Sequence, residues 1–160
     1  MKKIFIAILL VAAFSLVLSA CGGKPAATPE PVARPSNPGG PGPAIGLTAD
    51  ATAGAQIFVD NCVKCHGDQG KGGVENAGTA DGTVPPLNPI DDTMKSSDYK
   101  TFATNIDLFI EHGSTPELAD GATPPPARLM PAWGDEKTLE PPQIADVIAF
   151  LISLNKSHRI

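Results

Sequence analysis

Cysteine is scarce, with three in 160 residues, and no second Cys pair exists to complete a four-ligand zinc site. Aromatics are few as well, at 5%, with a single Trp and a single Tyr, so a core built from protein alone would be thin. Strand-like alternation of apolar and polar residues is hard to find after residue 48, which argues against a sheet. Positive charge is also in short supply. Twelve Lys and Arg against 17 Asp and Glu give a net charge of −5, a poor match to nucleic acid.

What is present begins with an export-like segment. Lys2 and Lys3 precede an apolar run from Ile4 to Leu18, shorter than the ~20 residues a membrane-spanning helix needs. Residues 1–20 therefore read as a signal peptide, with an uncleaved anchor helix as the alternative. The ending Leu18-Ser19-Ala20-Cys21 resembles the lipobox of bacterial lipoproteins. The resemblance implies a lipidated Cys21 at the mature N-terminus, whose acyl chains hold the protein on a membrane at ~0.8 kcal/mol per buried CH₂. Residues 22–47 hold seven prolines and six glycines, which leaves little apolar surface to offset the entropy of ordering. Residues 21–47 are expected to be a tether and 48–160 the folded domain. That domain carries eight Lys or Arg and sixteen Asp or Glu, so a basic partner surface suits it.

Three helices are expected. Asp50 can cap the first, with Gly54, Ile57, Phe58 and Asn61 on one face; Ser96 or Ser97 is expected to cap the second. The second carries Tyr99, Phe102, Ile106 and Phe109 in a stripe and stops at Gly113. The third starts at Pro141 and Pro142 and presents Ile144, Val147, Ile148, Leu151 and Leu154. The long irregular runs between them are acceptable in so small a domain if something other than protein fills the centre.

Cys62-Val63-Lys64-Cys65-His66 says what that is. A thioredoxin-like dithiol needs a preceding strand and a helix starting at the first Cys, whereas here a helix leads into Cys62. Haem attachment uses all three residues: each thiol adds to a porphyrin vinyl group, and His66 binds the iron through a ring nitrogen. The chain is thus expected to carry one haem c. For the sixth ligand the best candidate is Met130, a soft thioether beside the rigid Pro131; the alternative is a methionine that merely lines the pocket. Met94 suits a loop cap or the haem edge. His112 suits a helix C-terminus, and His158 suits solvent.

With these residues in place the chain resembles the class I c-type cytochromes over roughly residues 50–155. Gly54 and Phe58 stand where the family's N-terminal helix crosses the C-terminal one, and Phe150 stands where its aromatic partner does. Pro85 resembles the family's Pro-Xaa-Leu turn, whose carbonyl would accept a hydrogen bond from His66, with Pro86 as a substitute. Met130-Pro131-Ala132-Trp133-Gly134 is similar to the methionine loop. Loops 67–84 and 113–129 look longer than in the smallest members.

The resemblance implies an all-α, class I cytochrome c fold, with three or more short helices and long loops wrapped around one covalently bound haem. It implies a one-electron carrier, not an enzyme, in a respiratory or photosynthetic chain. Partners would be a membrane-bound quinol-oxidising complex, terminal oxidase or reaction centre, met at an extracytoplasmic membrane surface. Lipoprotein cytochromes similar to this one occur there, including the alternative complex III type. The rivals are a haem enzyme or gas sensor with an open sixth position, and a structural subunit whose haem is only a folding core.

Overall fold

A computed structural model describes residues 40–114 and 128–155. Four α-helices occur among them: α1 (Ala51–Asn61), α2 (Val63–His66), α3 (Tyr99–His112) and α4 (Pro141–Leu154). Short 3₁₀ turns stand at Pro43–Gly46, Asp68–Gly70 and Asp92–Met94. Among the described residues there is no strand beyond two isolated bridges, Glu75 with Thr83 and Ser114 with Met130. Over these residues the architecture is all-α, as expected.

The helix starts follow from side-chain chemistry. Asp50 accepts the Thr52 N–H at 2.8 Å and caps α1. At α3 the cap is Asp98, not Ser96 or Ser97: its carboxylate takes both the amide and the hydroxyl of Thr101, at 2.8 and 2.7 Å. Ser96 supports that cap from outside, its hydroxyl accepting the Asp98 N–H at 3.1 Å. At α4 the two prolines occupy a first turn that needs no N–H donors, and Gln143 accepts the Glu140 N–H at 2.9 Å.

α1 and α4 cross closely. Gly54 sits against the α4 backbone, where a Cβ would overlap the Asp146 carbonyl. One turn on, the Phe58 and Phe150 rings meet with centroids 5.3 Å apart at a tilt of 54°, a favourable aromatic geometry. Phe58, Ile144, Val147 and Ile148 are the heart of the core. α3 completes it with Phe102, Ala103, Ile106 and Ile110. Tyr99, expected on that stripe, is instead 55% exposed, because its position in the first turn carries it past the edge of the packed face.

The tether expectation also needs correcting at its end. Residues 40–47, assigned to it by composition, are packed on the domain: Ala44 is buried, and the Gly42 N–H donates to Asp107 Oδ2 at 2.6 Å. Composition averages over a window and misses Ala44 and Ile45, which pack on the core, and the acceptor that Asp107 offers to Gly42. Residues 1–39, with Cys21, lie outside the described residues, as do 115–127 within the inserted loop and His158.

One residue with no sequence signal fastens the loop beneath α2. Asn155, buried after the last turn of α4, accepts the Ile90 N–H at 2.9 Å and donates to the carbonyls of Leu87 and Leu151 at 2.9 and 2.8 Å. The same loop reaches the attachment segment, since Leu87 N and Asn88 N both donate to the Gly70 carbonyl at 2.7 and 3.0 Å. Asn155 therefore ties the end of α4 to the segment that carries Pro85.

Candidate haem site

The centre of the domain opens into an apolar cleft of about 410 Å³. Its walls come from α1 (Phe58), the loop through Val84 and Ile90, α3 (Ile106) and α4 (Leu151), and Cys62, Cys65, His66 and Met130 all line it. Cleft volumes of this order are those of cofactor sites.

Backbone geometry sets the attachment residues. Cys62 ends α1, its N–H donating to the Phe58 carbonyl at 2.8 Å, and then opens α2, where His66 N returns to the Cys62 carbonyl at 2.8 Å. One tight turn thus presents both thiols and the imidazole to one cavity. Burial, with Cys65 beside it, pushes the Cys62 thiol up to about 12. A redox-active dithiol needs the opposite direction. Burial also lowers the pKa of His66, and the Pro85 carbonyl opposes this only in part. The result is a neutral imidazole, the form that binds metal.

The Pro85 carbonyl lies 3.4 Å from His66 Nδ1. With Nδ1 as the donor, Nε2 carries the lone pair. Pro86 lines the same cleft. Met130 is half-buried, and its backbone is clamped by Ser114 in both directions, Ser114 N to Met130 O at 3.2 Å and Met130 N to Ser114 O at 3.1 Å. Trp133 lines the cleft from the same loop. Met94 is 6% exposed and also lines it, held there by Asn105, whose side-chain amide donates to the Met94 carbonyl at 2.9 Å. His112 stands apart, its ring between Asp135 and the Gly40 carbonyl.

Two residues of the rim have no signal in the sequence. Buried Asn76 exchanges hydrogen bonds with the Arg128 backbone, donating to its carbonyl at 3.1 Å and accepting its N–H at 3.0 Å. Arg128 Nε donates to the Glu75 carbonyl at 3.0 Å, and Nη1 lies 3.9 Å from Cys65 Sγ. The pair fixes the peptide two residues before Met130. Nothing marks it in sequence because Asn76 and Arg128 are 52 positions apart.

An apolar cavity with two thiols and a neutral imidazole in its wall fits a covalently attached haem. The comparisons agree. The family model for cytochrome c matches residues 51–155, well over half of the chain. The chain belongs to the cytochrome c family, of the class I c type, and binds haem c through Cys62 and Cys65. A short segment is similar to the Cbb3-type cytochrome c oxidase subunit CcoP of Rhodobacter capsulatus, 67% identical over 27 residues. That segment is 17% of this chain and 9% of the relative, so the chain spans a small part of that protein's length. No solved structure matches. Membership in this family suggests electron transfer.

Proposed function

We propose that this cytochrome is a lipid-tethered one-electron carrier at an extracytoplasmic membrane surface, exchanging electrons with a membrane-bound redox complex. It would serve as a shuttle or as a monohaem subunit of a quinol-oxidising or oxidase complex. The observation that carries the reading is that His66 and Met130, from separate segments, line one cleft. When bound, haem c supplies a one-electron couple at iron. The chain's own residues do the rest. Cys62 and Cys65 would hold the group, the Pro85 carbonyl would orient His66, Met130 would offer a thioether from its clamped loop, and the aliphatic wall would exclude water. With an imidazole from His66 and a thioether from Met130 both offered to the iron, no position would be left for a substrate, which favours outer-sphere transfer over catalysis or gas sensing. Similarity to a segment of an oxidase subunit supports a membrane complex as partner. The lipobox-like Leu18–Cys21 ending supports the membrane surface.

The test is an absorption spectrum of the purified protein, oxidised and reduced, followed by carbon monoxide. A sulfur-to-iron band in the near infrared with no response to carbon monoxide is the expected result. Absence of the band with ready carbon monoxide binding would move an open-site enzyme or sensor to the front. For the membrane half of the reading, Cys21→Ser is expected to shift the protein from the membrane fraction to the soluble one. Unchanged fractionation would remove the lipid anchor.

A further inference from the structure

On the side of α3 away from the cleft lies a cluster of ionisable groups that haem binding does not use. Asp107 is 0% exposed, and Glu111 follows it one helical turn later. Among the described residues, Asp107 Oδ1 and Glu111 Oε2 are the buried side-chain oxygens with no hydrogen-bond partner. An ionised carboxylate buried with an unpartnered oxygen is costly, and a protonated one costs far less. A cation does not suit the place. Among the described residues no three His, Cys, Asp or Glu come together to hold one. The Glu111 carboxyl also occupies the space beside Gly42 and Gly134 where a Cβ at either position would fall.

The same cluster grips the strap 40–47. Gly42 N donates to Asp107 Oδ2, and His112 Nε2 lies 3.1 Å from the Gly40 carbonyl while its Nδ1 lies 2.7 Å from Asp135 Oδ2. We propose that residues 40–47 form a proton-governed clasp: the Asp107–Glu111 pair keeps the strap docked while it retains a proton, and lets it go when both carboxyls are charged.

The facing groups agree in sign. Burial raises the pKa of Asp107, against smaller opposing effects of the Gly42 N–H and the His112 charge. Burial, then the like charge of Asp107, raises that of Glu111, with Asp135 adding and His112 opposing. For His112 burial disfavours the charge, but the bonds to Asp135 and to the Gly40 carbonyl outweigh it and the net shift is upward. The strap contributes no charged side chain, and the one charged residue of α4, Asp146, turns instead to the Asp50 N–H at 2.7 Å. Groups whose pKa is raised in the docked state favour docking at low pH and lose that contribution as pH rises through the raised values. Docking is therefore firm in acid and weakens as pH rises above the ordinary values of the three groups, 3.8 for Asp107, 4.5 for Glu111 and 6.5 for His112. Release of eight residues would add at most about 26–29 Å to the reach of the domain from an anchored Cys21.

The experiment is hydrogen exchange on the full-length holoprotein between pH 4 and 9, read by mass spectrometry and corrected for intrinsic rates. Protection of peptides within 40–47 should fall at least tenfold across that range, a single linked proton giving up to about tenfold per pH unit. Peptides from α1 and α4 should hold their protection. Asp107→Asn keeps an acceptor for Gly42 without the charge, and Glu111→Gln removes the repelling partner; each should make the loss shallower than in wild type, the remainder being that of His112 at the Gly40 carbonyl. The clasp is overturned by a flat profile at 40–47, by an equal loss throughout the domain, or by the wild-type slope in either folded variant. Wild type alone decides the first two, and no electron transfer enters the readout, so the carrier reading stands or falls separately.

Discussion

Replacing Met130 with Ala is expected to abolish the near-infrared sulfur band, admit carbon monoxide to the reduced protein, and lower the reduction potential by on the order of 100 mV or more. The expectation rests on how this residue is held. Ser114 pins its backbone from both sides, Pro131 follows it, and the Asn76–Arg128 pair fixes the peptide two residues before. The backbone that carries the thioether is thus fixed at the cleft, which Met130 lines, and no other residue from Arg128 to Gly134 carries a comparable sulfur donor. The competing thioether is Met94, buried in the same cleft. Its position is set by the Asn105 bond and by packing, so Met94→Ala should keep the sulfur band while loosening the protein. The opposite pattern, band kept in Met130→Ala and lost in Met94→Ala, would reassign the ligand. Loss in neither would put both out of the coordination sphere.

The second large effect concerns α1 and α4. Gly54→Val is expected to cost more than about 3 kcal/mol, and Gly54→Ala about 1–3 kcal/mol, despite alanine's better helix propensity. The reason is what the new Cβ meets. It runs into the Asp146 carbonyl and presses on the Val147 nitrogen, which are backbone atoms of a helix and cannot rotate aside as a side chain would. Relief requires the helices to separate, and that pulls apart the Phe58–Phe150 contact and the core around Ile144 and Val147. At about 4–8 °C per kcal/mol for a domain of this size, thermal unfolding of the holoprotein should drop by more than about 12 °C for the valine variant. A change within 2 °C would show that the crossing is not tight at this point.

Much of the site is legible in the amino-acid sequence because its signals are local. Cys62, Cys65 and His66 fall within one turn of chain, and the chemistry that uses all three is haem attachment. Helix positions follow from apolar period and from Asp50, Pro141 and Gly113, which act on neighbours a few residues away. The cap of α3 lies one or two residues beyond its expected position because serine and aspartate compete for the same amides. Only the Asp98 carboxylate reaches the amide and hydroxyl of Thr101 together.

What the sequence by itself determined, then, is the prosthetic group, the all-α class and the membership that both imply, since each rests on residues close together in the chain. What only the tertiary structure decided depends on partners far apart. Asn155 meets Leu87 and Ile90, Asn76 meets Arg128, and Gly42 meets Asp107, across separations of 52 to 68 positions. A polar side chain gives no hint in one dimension whether it will be solvated or buried against a distant backbone group. Asp107 reads as an ordinary helix-surface carboxylate until folding removes it from water and lays the strap across it, and there the cost of burying charge turns an unremarked residue into the centre of the clasp.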